Sequence, residues 1–111
     1  MKFERELLKG VAPVAVLSVL SNGAMYGYEL SKAVEERSGK ILNLGYGTLY
    51  PLLYNLEAKG FVIVEWQEAE NGRKRRYYSI TGKGRKHLER QKAQLDELQK
   101  AIGMVFSLEI P

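Results

Sequence analysis

A mainly α-helical chain with one small β-hairpin is the fold class the sequence predicts, and three patterns carry that expectation. Leu49, Leu52, Leu53 and Leu56 recur at helical spacing, as do Val14, Leu17 and Leu20 before them. Phe61 to Trp66 is instead β-branched and aromatic; Asn71-Gly72 and a second run from Lys74 to Ile80 follow, which spells two strands and a turn. After Thr81 the apolar residues keep a seven-residue rhythm, Leu88, Leu95 and Ile102 at one position and Leu98 and Val105 at the other.

The first helix covers Leu7 to Leu20, with Leu7, Val11, Val14, Leu17 and Leu20 inward. Gly10 and Pro13 are expected to break or kink its early part, because proline lacks the N–H and clashes with the preceding turn. Ser21-Asn22-Gly23 ends it. The second helix starts at Tyr26 or Gly27, buries Tyr26, Leu30, Ala33 and Val34, and stops at Ser38-Gly39. Ile41 to Leu44 connects it to a third helix starting near Gly47, whose first turn is expected to take Pro51 without losing a hydrogen bond. In the hairpin, apolar partners meet when Val62 faces Ile80 and Val64 faces Tyr78. The same register sets Arg76 across from Trp66, where a cation–π contact would stiffen the ribbon. Thr81 caps the last helix, which extends towards Phe106.

A chain of 111 residues, 45% hydrophobic, buries one modest core. Residues 1–81 form its body and 82–111 a C-terminal helix. With no cysteine and one histidine, His87, disulfides and the usual zinc clusters are excluded, and no cofactor is expected. The apolar run from Val11 to Leu20 is far short of the roughly 20 residues of a membrane span, so a soluble, cytoplasmic protein is expected.

Charge is distributed unevenly. Between Arg73 and Lys92 nine cations face a single acid, Glu89, a local net of +8; since the whole chain carries +4, the remainder nets −4. A basic segment on a mildly acidic body is the footprint of a polyanion partner. A helix followed by a ribbon whose turn carries Arg73, Lys74, Arg75 and Arg76 is how a winged helix-turn-helix holds double-stranded DNA.

Opposite the apolar face of the third helix lie Gly47, Pro51, Tyr54 and Ala58, flanked by Thr48, Tyr50 and Asn55. Small residues there let the helix sit deep in a major groove, while hydroxyls and the Asn55 amide reach phosphates and base edges. Tyr28, at the start of the second helix, is a further candidate phosphate donor, and Arg73, Lys74 and Arg75 are candidates for backbone or minor-groove contact. Tyr77 and Tyr78 are expected to pack in the sheet. The narrow seam of Leu88, Leu95, Leu98, Ile102 and Val105 would be wet on a lone helix, which points to a homodimer; the alternative is that it folds back on the first helix.

Tyr26-Gly27-Tyr28-Glu29-Leu30, Gly47-Thr48-Leu49-Tyr50-Pro51-Leu52-Leu53, Leu56-Glu57-Ala58-Lys59-Gly60 and Gly72-Arg73-Lys74-Arg75-Arg76-Tyr77-Tyr78-Ser79-Ile80-Thr81 together resemble the PadR family of bacterial transcriptional regulators. The resemblance spans the chain from Leu7 through the last helix. It implies a dimeric repressor whose C-terminal helix mediates dimerisation, and a small-molecule effector at or near the dimer interface. Some similar regulators stack planar drugs on a tryptophan of that helix; here the only tryptophan is Trp66, on a strand.

Other classes fit less well. The acids lie on helical faces (Glu35-Glu36, Asp96-Glu97) with no phosphate loop and no nucleophile beside a base, so an enzyme is not expected. A winged helix serving only as a protein-interaction module would carry a neutralised wing, and this wing is not neutral. RNA binding would call for the surface aromatic motifs of RNA modules, which are absent.

Overall fold

In the computed structural model, described over residues 2–107, the chain runs α1 (Arg5–Leu20), β1 (Met25–Tyr26), α2 (Gly27–Arg37), α3 (Tyr46–Ala58), β2 (Val62–Glu68), β3 (Lys74–Ile80) and α4 (Gly82–Ser107). The end of the C-terminal segment, residues 108–111, lies outside the described residues. The core gathers Val16, Leu17 and Leu20 of α1, Leu30 of α2, and Leu49 and Leu53 of α3 under the sheet residues Val62 and Tyr78.

The sheet has three antiparallel strands in the order β1-β3-β2, one more than the expected hairpin. The extra strand pairs Met25 with Tyr78 and Tyr26 with Tyr77. Two residues are too few to show a period, which is why it escapes a periodicity search. Between β2 and β3 the register is the expected one, Val62 with Ile80, Val64 with Tyr78 and Trp66 with Arg76. The strands are joined by a loop in which Gly72 takes φ 80° and Asn71 Oδ1 accepts from the Arg73 N–H at 3.1 Å.

α1 is not broken at its proline, and Pro51 lies deeper in α3 than expected. α1 continues unbroken through Gly10 and Pro13. Pro13 withholds one bond from the Lys9 carbonyl, and Lys9 is exposed, so water can take its place; burial of Ala12, Val14, Val16 and Leu17 holds the helix. In α3, Gly45 is the N-cap, and its carbonyl accepts from the Leu49 N–H at 2.9 Å. Pro51 is therefore the sixth helical residue, past the first turn, and it deprives the Gly47 carbonyl of its usual donor. Gly47 is exposed, so that carbonyl is free to meet solvent or a ligand.

α3 ends in a Schellman motif. Gly60 at φ 77° lets its N–H reach the Glu57 carbonyl and the Phe61 N–H reach that of Leu56, each at 2.9 Å. Thr81 then joins three elements: its hydroxyl donates to the Gly60 carbonyl at 2.7 Å, its Oγ1 accepts from the Gly84 N–H at 3.0 Å as the cap of α4, and its own N–H bonds the Phe61 carbonyl at 3.0 Å. These bonds fix the departure of α4 from the sheet.

α4 packs against α1 only over its first half. Leu88 is 3% exposed, inside the core of its own chain, and Leu95 is partly buried against that core. That corrects the expectation that Leu88 belongs to an intermolecular seam: the heptad rhythm continues a core contact into the free part of the helix. From Leu98, 57% exposed, through Ile102 and Val105 the apolar positions face solvent. The chain measures 64 Å along its longest axis against 30 and 21 Å across, which reflects this projecting helix. Leu7 is likewise 65% exposed rather than inward, because the first turn of α1 precedes the buried part of that helix.

Candidate nucleic-acid interface

α3 presents two faces. Leu49, Leu53 and Leu56 are buried, and Leu52 is partly so. On the other side Gly47, Thr48, Tyr50, Pro51, Tyr54, Asn55 and Ala58 are all exposed, Tyr54 most of all at 74% among the aromatic residues. None of these seven carries a negative charge. The outer face is thus uncharged, mostly small or hydroxylated, and shaped for close approach.

The hairpin splits its cations. Arg73 and Lys74 are exposed at the loop. Arg75 and Arg76 point to opposite sides of β3, as neighbouring strand residues must. The Arg75 guanidinium lies over the Tyr26 ring, 4.3 Å from its centroid, and is partly buried. Arg76 turns towards α3: it pairs with Glu57 at 3.5 Å and sits 5.6 Å from the centroid of Tyr78. The expected stacking of Arg76 on Trp66 is not made. The carboxylate of Glu57 and the buried ring of Tyr78 are the better partners, and Trp66 stays 65% exposed. Burial pushes the Tyr78 hydroxyl above its ordinary pKa, with Arg76 opposing the shift, so this phenol stays neutral.

Tyr28 is exposed at the start of α2, beside Lys32, whose ammonium lies 5.8 Å from the ring centroid. Tyr50 packs its hydroxyl against Gly27, where any β-carbon would collide with it. Tyr46, absent from the sequence-based candidates, stands 5.8 Å from Tyr50, ring centroid to centroid. Tyr26, expected in the core, is only partly buried and forms the platform for Arg75. One signal for both was present: four of the seven tyrosines fall at the two helix starts, at 26, 28, 46 and 50, with no core-forming period.

The remaining cations lie elsewhere. Lys83, Lys86, Arg90 and Lys92 lie along the first half of α4, where His87 stacks on Phe61 at 4.1 Å between ring centroids. Arg85 Nη1 donates to the Ser21 carbonyl at the end of α1, at 3.4 Å. The basic segment read from the sequence therefore divides between the wing and the root of α4. Among the described residues there is no His, Cys, Asp and Glu group suited to a metal, and no helix is long and apolar enough to cross a membrane.

Comparison with known proteins agrees with this architecture. Residues 16–90 match the model of the transcriptional regulator PadR-like family. The transcriptional regulator Rv3488 of Mycobacterium tuberculosis is 30% identical over 98 residues, covering 88% of either chain. A transcriptional regulator from Clostridium thermocellum superposes with a TM-score of 0.82 at 27% identity, over 89% of this chain and 96% of that one. A PadR-like transcriptional regulator from Bacillus cereus gives 0.77 at 29% identity, over 91% and 96%. With most of its length matched in sequence and in fold, the chain belongs to the PadR-like family of transcriptional regulators.

Proposed function

We propose that this regulator is a cytoplasmic repressor that binds duplex DNA as a homodimer, each protomer laying α3 in a major groove while the β2–β3 loop meets the neighbouring backbone. The observation that carries the reading is the meeting of two surfaces: an exposed α3 face without acids and an exposed pair of cations, Arg73 and Lys74, at the loop. Thr48, Tyr50, Tyr54 and Asn55 are the side chains to reach phosphates and base edges, with Gly47 and Pro51 allowing close approach; Tyr28, Arg73, Lys74 and Arg75 hold the backbone. With no arginine or lysine on the outer face of α3 before Lys59, bidentate guanine contacts are few and backbone positioning carries more of the affinity.

Leu98, Ile102 and Val105, continued from the half-covered Leu95, form the seam that a second α4 would cover. Two identical reading helices related by a two-fold axis demand inverted half-sites about one helical turn apart. A small-molecule effector would release the operator only by favouring a dimer geometry that spaces the two α3 helices wrongly. Selection from a pool of random duplexes tests the reading. It should recover a pseudo-palindrome; recovery of no enriched duplex would leave the chain an interaction module without DNA binding.

A further inference from the structure

β1 ends at Tyr26, opposite Tyr77, so the edge of β3 at Arg76 and Arg75 has no strand beside it. At that edge a cavity of about 330 Å³ opens between the sheet and the starts of α2 and α3. Its walls include Tyr26, Tyr28, Tyr46 and Tyr50, its cations are Arg75 and Arg76, and no carboxylate lines it. Arg76 is already compensated by Glu57. Arg75 makes no ion pair among the described residues.

The uncompensated cation is held in place. Its guanidinium carbon lies over Tyr26, 4.3 Å from the ring centroid, and the Tyr26 ring is itself braced by Tyr77 edge-on at 5.5 Å and by Tyr28 stacked at 6.3 Å. Stacking occupies the face of a guanidinium and leaves its rim of N–H donors free for an oxyanion. A positive group fixed at the mouth of a cavity walled by phenols suits one tetrahedral anion with an apolar group attached to it.

We propose that this cavity seats one phosphate of the duplex backbone per protomer, with Arg75 as its cation and Tyr26 as the positioning residue that aims Arg75. The proposal rests on the DNA-binding reading above and deepens it. Tyr26 need not touch the nucleic acid; its ring, placed on β1 opposite Tyr77, sets the direction of the guanidinium. Tyr46 and Tyr50 supply further walls, and the Lys32 ammonium lies 5.8 Å from the ring centroid of the lining Tyr28.

The test uses the full chain and a duplex recovered by selection, synthesised with single methylphosphonates that neutralise one phosphate at a time. Wild-type protein should bind about ten-fold more weakly when one particular phosphate per half-site is neutralised, the scale of a single charge-assisted hydrogen bond. Arg75→Ala should weaken by a similar factor on the unmodified duplex and be insensitive to that same methylphosphonate, with the salt slope reduced by about 0.9 per protomer. Tyr26→Leu should behave as Arg75→Ala and Tyr26→Phe as wild type, since phenylalanine keeps the ring. Arg75→Ala with undiminished sensitivity at every phosphate overturns the proposal, as does Tyr26→Phe as weak as Tyr26→Leu. Arg75 lies at a strand edge, so its variant reports even where Tyr26→Leu disturbs the sheet. Wild-type protein that recovers no duplex overturns the DNA-binding reading and the proposal together, a result distinct from intact binding with insensitive variants.

Discussion

Arg76 of β3 and Glu57 of α3 form an ion pair at 3.5 Å that ties the wing to the helix beside it. Both side chains keep roughly two fifths of their surface in water, at 44% and 38% exposed, so the pair orients more than it stabilises. Glu57→Gln should shift the free energy of unfolding by less than about 1 kcal/mol in urea titration. A drop of several kcal/mol would mean that the pair holds the sheet on the helix.

At Gly84, a buried residue of the first turn of α4, the helix backbone packs tightly on Phe61 and Ile80. A β-carbon there would run into the Phe61 carbonyl and crowd Ile80, and the obstacle is backbone that cannot step aside. Gly84→Ala should cost about 1–3 kcal/mol, the usual range for overpacking, whereas Gly82→Ala, with open space around it, should change stability by no more than about 0.5 kcal/mol. Equal effects in chemical denaturation would show that α4 is not seated against Phe61.

How much of this was legible in the sequence depends on the range of the interaction. The register of β2 on β3, the Thr81 cap and the exposed face of α3 follow from alternation, helical spacing and local hydrogen bonding, and the structure has all three. Contacts between distant segments were not legible. Arg76 chose Glu57, nineteen residues away, over its cross-strand neighbour Trp66. Leu88 and Leu98 share one heptad pattern, yet only the first is covered by its own chain, because α1 runs out before α4 does. The tyrosine-walled cavity needed three segments brought together by a strand too short to announce itself.

His87 gives the fold a pH dependence. Its partial burial, stacked on Phe61, lowers its pKa below the ordinary value, and the nearby Arg90 and Lys59 add to the shift. Below about pH 6.5 the unfolded chain takes up the proton more readily than the folded one. The stability associated with neutral His87 is therefore complete above that pH and is lost as pH falls through the lower folded value. Wild type should lose stability relative to His87→Gln as the pH falls below about 6.5; parallel curves for the two proteins would contradict this.

Arg73 and Lys74 are exposed wing cations that make no ion pair among the described residues, and they lie beyond the contacts that hold Arg75 and Arg76. Replacing both by Ala should weaken binding to all duplexes alike and flatten the salt dependence by about 0.9 for each phosphate no longer neutralised. Asn55→Ala should instead alter preference at one position of the site more than affinity everywhere. An unchanged salt slope in the first variant would remove the loop from the DNA backbone.

Two chains acting together through the exposed end of α4 are the centre of the proposed function, and sedimentation velocity on a selected duplex tests this most directly. Wild type should saturate at two chains per duplex and sediment as a dimer without DNA. Leu98→Glu with Ile102→Lys would bury charges in the seam but lies outside the chain's own core. This double variant should sediment as a monomer, remain folded by circular dichroism, and bind the duplex orders of magnitude more weakly, because the second half-site is no longer tethered to the first. Saturation at one chain per duplex, or a double variant that stays dimeric with full affinity, would contradict the dimeric reading.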